Sequence, residues 1–169
     1  MNECVVSDVG GQPGQVRISV ADLEVRRGTP PQVSGEIWFT LGETDFPVAH
    51  WTDSPLSVLG SLGEAIRSSS AGETGEAYFF DGPYNVRLIP APAGTQGHVD
   101  VIGISEREGL ISGTGEGVVE ARCTVPLDEL RRHYVSVLAE WERWARRHGH
   151  SDVAETLSRM ARPGGPAVP

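Results

Sequence analysis

The hydrophobic period of this chain changes only three times, and that restricts its fold more than any other feature. Alternating apolar residues fill the first part: Val16, Ile18 and Val20, continuing through Leu23 and Val25, then Ile37, Phe39 and Leu41 in EIWFTL. FPVAHW follows, with Phe46, Val48 and His50 on one side and Ala49 and Trp51 on the other. Period two is the pattern of half-buried strands. TDSPLSVLGSLGEAIRSSS then shifts to a helical period, with Leu56, Leu59, Leu62 and Ile66 on one stripe. Asp53 or Ser54 suits its cap and Pro55 its first helical position. Gly60 and Gly63 give this helix a small-residue face that a sheet can approach closely.

Strands resume in EAYFF and NVRLI, joined by the turn DGPY, and continue in HVDVIGI and GVVEARCTV. The last change of period comes at Pro126, which opens PLDELRRHYVSVLAEWERWARRH. Leu127, Leu130, Tyr134, Val137, Leu138, Trp141 and Ala145 form its stripe, and Gly149 ends it. Asp152 with Glu155 reads as a capping box for a short final helix carrying Val153, Leu157 and Met160. The order β-β-β-α-β-β-β-β-α-α leaves too few helices to bridge parallel strands. It predicts an α+β fold: one antiparallel sheet of about seven strands with helices packed on one face. Residues 1–15 read as a flexible lead-in, 16–162 as a single α+β domain and 163–169 as a Pro/Gly-rich tail. There is no internal repeat.

At 169 residues the chain can bury an ordinary core without a disulfide staple. Cys4 and Cys123 share no metal-binding or redox spacing and read as reduced thiols. Cys123 aligns by alternation with Val119, Ala121 and Val125 as a small buried hydrophobe. No apolar run is long enough to span a bilayer, and MNECVVSDVGG has neither the basic nor the apolar region of a secretory signal. The expected location is the cytoplasm. The net charge is −9, and every basic residue is an Arg. Residues 1–125 carry 7 Arg against 17 acids, and residues 126–169 carry 7 against 6. So acidic a body repels phosphate backbones, which excludes nucleic acid as the expected partner and favours a basic protein.

No catalytic arrangement stands out. Gly113 to Gly117 run straight into a strand, whereas a phosphate loop opens a helix, so they read as a hairpin connection. His148, His150 and Asp152 straddle a helix end with no second cluster to complete a metal shell, and His148 reads as a cation at the helix C-terminus. His50 reads as a satisfied buried histidine. The pairs Glu106/Glu108 and Glu73/Glu76 fall in Gly- and Ser-rich loops, where a general acid's raised pKa is not expected. An enzyme would instead need a pocket in which His50, Asp53 or Glu residues converge. The expectation is a non-enzymatic protein with no cofactor and no metal.

The aromatic residues point to binding. Trp38 and Trp51 lie opposite the Ile37 and Phe46 faces, so both sides of a sheet carry bulk. Trp144 falls off its helix's main stripe and is the expected exposed anchor.

WTDSPLSVLGSLGEAI, EAYFFDGPYNVRLIP, HVDVIGI and VPLDELRRHYVSVLAEW follow one another behind a leading sheet, across about residues 16–142. This succession resembles the WapI-like immunity proteins of bacterial polymorphic-toxin systems, in order and spacing rather than in any catalytic motif. Longer loops at 28–34 and 105–117, and the final helix and tail, depart from it. The resemblance implies a non-catalytic protein that neutralises a cognate toxin by direct binding. Charge complementarity with a basic toxin domain then singles out Glu43 and Asp45 before FPVAHW, and Glu106, Glu108 and Glu116 in the long loop. The alternative is a small-molecule- or peptide-binding accessory protein that uses an aromatic sheet face as its pocket.

Overall fold

The computed structural model describes residues 15–26, 28, 31–92, 97–107 and 117–162. The expected lead-in apart from Gln15, and the expected tail, lie outside them. The N-terminal sheet contains β1 (Val16–Arg26), β2 (Gln32–Leu41), β3 (Thr44–Phe46) and β4 (Thr52–Asp53). Here β2 is central, pairing antiparallel with β1, β3 and β4. After α1 (Pro55–Ser70) comes a second antiparallel sheet of β5 (Gly75–Tyr78), β6 (Tyr84–Pro90), β7 (His98–Ser105) and β8 (Val118–Pro126), in sequential order. The chain closes with α2 (Leu127–Arg147) and α3 (Ser151–Met160).

The α+β class and antiparallel pairing are as expected, but the strands form two sheets of four rather than one of about seven. The split falls between β4 and β5, where α1 intervenes, and the segment expected to be the strand FPVAHW is itself interrupted. β3 stops at Phe46, because Pro47 has no N–H for the ladder. The Phe46–Pro47 peptide is cis, and His50 sits in the left-handed region at φ 60°. The chain leaves the ladder over residues 47–51 and rejoins the same edge of β2, where Thr52 pairs with Glu36. Val48 and His50, expected on a buried face with Phe46, are exposed.

One core joins all layers. Ile18, Val20, Ile37, Phe39, Leu41 and Phe46 come from the first sheet, and Ala77, Val86, Leu88, Val99, Val101, Cys123 and Val125 from the second. Each apolar side chain buried in this way stabilises the fold by roughly 1.5–3 kcal/mol. α1 contributes Val58, Leu59, Leu62, Ala65 and Ile66, a wider stripe than expected, with Leu56 only half-buried. Its expected small-residue face receives a side chain from a helix, not a sheet. A Cβ on Gly63 would lie 2.5 Å from the Tyr134 hydroxyl, which donates to the Leu59 carbonyl at 3.1 Å. Gly60 has no neighbour within 4 Å. A glycine does admit a sheet to α1, but it lies on β5, where a Cβ on Gly75 would meet the backbone of Ala65.

α2 buries the whole expected stripe except Leu127, which is half-buried. α3 begins one residue before the expected capping box, with His150 at the cap position and no side-chain cap bond. In β8, Ala121, Cys123 and Val125 point inward as expected. A register shift between Gly103 and Ile104 of β7 turns Val119 to the opposite side, where it is exposed. Burial holds the Cys123 thiol protonated, its pKa pushed up to about 11, so it is an inert core residue.

Candidate interaction surface

The two sheets are locked together at one carboxylate. Asp53 ends β4 and is only 1% exposed. It accepts bonds from the Trp51 indole N–H (3.1 Å), the Ser54 backbone N–H (2.6 Å), the Phe80 N–H (3.0 Å) and the Asp81 N–H (3.1 Å). Residues 80–84 thus hang from a carboxylate of the other sheet. Trp51 packs edge-on to Tyr84 at 5.1 Å, and Phe46 to Tyr84 at 5.9 Å. A Cβ at Gly82 would meet both Trp51 and Tyr84. Phe80 is left 58% exposed on this rigid turn. Asp53 and His50 do not converge, since the His50 ring meets Glu36 at 2.7 Å and leans on Trp38.

The second sheet has one face outside the core. Its cross-strand register sets Tyr78, Asn85, Ile104 and Val119 in one row and Glu76, Arg87, Ile102 and Arg122 in the next. Ile102 and Ile104 lie on this side of the sheet, apart from the main cluster, yet both are buried, and Gly117 packs against Ile104. Glu76, expected in a loop, lies on β5 and accepts from the Tyr78 hydroxyl and from Arg87 Nε at 2.8 Å. The Tyr78 bond, with Arg87, pulls the Glu76 carboxyl below its usual range, and the same bond pushes Tyr78 up. Asp100 accepts from Thr124 and Arg122, which hold it below the usual carboxylate range. Neither carboxylate has the raised pKa of a general acid.

The expected partner-binding residues are dispersed. Glu43 is exposed in the two-residue turn between β2 and β3. Asp45 is half-buried and accepts from the Thr40 hydroxyl at 2.7 Å. Glu106, exposed just past β7, accepts from the Asn85 amide at 2.8 Å, and its N–H donates to the Pro83 carbonyl. Glu108 and Glu116 lie outside the described residues, as do Gly113 to Glu116 of the glycine-rich stretch. Trp144 is not an exposed anchor. α3 turns back onto α2 and leaves it 8% exposed, with the His148 ring stacked on it at 4.7 Å and the His150 ring at 5.6 Å. His148 also lies 2.8 Å from the Trp144 carbonyl, at the helix end expected for it.

A cleft of about 330 Å³ opens between the start of β1 and α2, lined by Gln15, Arg17, Glu129, Arg132, His133 and Ser136 among others. Inside it the Ile18 N–H donates to His133 Nε2 at 3.0 Å, closing part of the β1 edge. Burial lowers the His133 pKa, against Glu140 and Glu129, which raise it. With Nε2 occupied as an acceptor, His133 is a neutral structural group in this state. Among the described residues no three His, Cys, Asp or Glu side chains are grouped to hold a metal ion. No described helix is long and apolar enough to cross a membrane.

No family model, curated protein or solved structure matches this chain.

The Asp53 junction escaped the sequence reading because its donors lie 27 and 28 residues away. The only local hint was a carboxylate one residue before a Ser-Pro helix start. The outer sheet face escaped the sequence reading as well, with Glu76 expected in a loop and Val119 on the inward side.

Proposed function

We propose that this chain is a non-catalytic acidic binding protein of the immunity type, which neutralises a basic toxin domain by covering it. The observation that carries this reading is the pre-positioning of surface carboxylates. Asp45 is fixed by Thr40 and Glu106 by Asn85, while Glu43 stands on a tight hairpin turn. Acids fixed before encounter lose little side-chain entropy on binding, and in a chain of net charge −9 they steer a basic partner at long range. The polar groups with the most enzyme-like burial, Asp53 and His133, are occupied by backbone donors, which also favours binding over catalysis.

The test is tagged-protein capture from native lysate at low and high salt, beside a variant with Glu43, Asp45 and Glu106 all changed to Arg. The expected result is a stoichiometric basic protein held at low salt, released at high salt and missed by the variant. When expressed alone, that protein should arrest growth, and co-expression of this chain should relieve the arrest. A captured protein whose binding ignores both salt and the triple substitution, or whose toxicity this chain does not relieve, overturns the reading. The second reading, a small-molecule-binding accessory protein, rests on the cleft beside His133, which is near the lower limit of ligand-pocket size. Its lining mixes Val16, Val125 and Leu130 with charged side chains and includes no Trp, Tyr or Phe.

A further inference from the structure

We propose that Tyr78 and Phe80, with the carboxylate of Glu106, form a seat for an arginine or lysine side chain of a basic partner. The chain is extended from Tyr78 to Phe80. The Tyr78 and Phe80 N–H groups donate to Ser61 Oγ and Asp53, while the Phe79 N–H between them donates to the Tyr84 carbonyl of β6. Side chains alternate with the same period. Phe79 is therefore turned into the core against Phe39 and Phe46, and Tyr78 and Phe80 are both turned outward, 45% and 58% exposed. Two strand steps set their Cβ atoms roughly 7 Å apart, which leaves room for one guanidinium or one lysine stem between the rings. A cation held there lies close enough to both ring faces to be attracted by them.

The surroundings select a cation. Tyr78 pairs across the strands with Asn85, and the Asn85 amide donates to Glu106, so that carboxylate is held near the Tyr78 ring. Its charge helps to raise the Tyr78 phenol pKa. Asn85 is 2% exposed, and its Oδ1 has no hydrogen-bond partner among the described residues, so this corner holds more acceptors than donors. Asp81 is exposed next to Phe80. Of the neighbouring guanidinium groups, Arg87 is taken by Glu76, and Arg107, exposed beyond Glu106, opposes the two acids alone among the described residues. The seat is also rigid. Asp53 holds the Phe80 and Asp81 N–H groups, the Tyr78 hydroxyl is tied to Glu76, and the Glu106 N–H donates to the Pro83 carbonyl. Groups fixed before encounter lose little entropy on binding.

This inference rests on the reading that the partner is basic, and not on that partner's being a toxin. The test is a titration of the purified nitrogen-15-labelled chain with N-acetyl-triarginine amide, followed by amide chemical shifts, beside the uncharged citrulline analogue. Shifts should cluster at residues 78–85 and 106, and the citrulline peptide should produce none of them. Phe80→Leu keeps apolar bulk and removes the ring, and Glu106→Gln keeps the shape and removes the charge. Each should weaken binding by about two- to fivefold. Both positions are exposed, so the melting temperature should hold. Glu155→Gln, an equal loss of charge on α3, should leave binding unchanged. Shifts spread over the acidic surface, or an affinity that either Phe80→Leu or Glu106→Gln leaves intact, overturns the seat. So does a peptide that fails to bind at millimolar concentration. In lysate, a basic protein captured equally by the parent chain and by Phe80→Leu overturns the seat while the immunity reading stands. A peptide seated here with no toxin captured overturns only that reading.

Discussion

Asp53 and Glu76 are both carboxylates answered by several donors, yet they belong to opposite parts of the energetics. Asp53 is sealed between the sheets at 1% exposure, and its donors are mostly backbone N–H groups fixed in place by the surrounding chain. Glu76 stands on an outer face, answered by the half-exposed side chains of Tyr78 and Arg87, which water would readily replace. Bond count is similar and burial is not. Burial sets the cost of losing a partner. The junction is therefore where the fold is held, and the exposed ion pairs of the outer face are where residues can change at small cost.

The largest expected effect tests the junction. Asp53→Ala should cost about 3 kcal/mol in urea unfolding, since it removes the buried acceptor of one indole and three backbone donors. A loss no greater than that of a surface substitution would erase the contrast with Glu76.

A smaller effect comes from His133, the other polar group placed between elements. The unfolded imidazole binds its proton near pH 6.5, whereas the folded one, buried and accepting from Ile18, binds it only at lower pH. Between those values the unfolded chain holds more protons, so stability should fall as pH drops from about 6.5 toward the folded value. His133→Gln, which retains an acceptor for Ile18, should flatten this slope in unfolding curves taken from neutral to mildly acidic pH. An unchanged slope would move the pH sensitivity elsewhere.

The smallest effect belongs to the outer face. Glu76→Gln should change stability by only about 0–1 kcal/mol, because its ion pair with Arg87 is partly solvated. Its pKa is depressed, so whatever it contributes is present above the unfolded carboxylate range and fades as the carboxylate protonates. A cost comparable to that of Asp53→Ala would mean the outer face is structural.

The residues themselves show how far the sequence reached. Ala121, Cys123 and Val125 were legible as an inward face because alternation is a local property, and Leu130 to Ala145 as a buried stripe for the same reason. Val119 was misassigned because a bulge is fixed by the partner strand's register, which the strand's own residues do not encode. Trp144 read as exposed because a stripe describes one helix alone, and α3 then covered a second side of it. Among the site residues, Glu43 and Glu106 were found as exposed acids, but the bonds that fix Asp45 to Thr40 and Glu106 to Asn85 were not.

The sequence by itself determined the order of strands and helices, the antiparallel pairing of adjacent strands and the acidic character of the surface. Each follows from interactions between residues close in the chain or from summed charge. Tertiary structure alone decided that the strands divide into two sheets on either side of α1, that Asp53 joins them, and that Ile102 and Ile104 are buried on the side of the second sheet away from the main cluster. Those outcomes depend on contacts between distant residues, and only the closed fold brings those residues together.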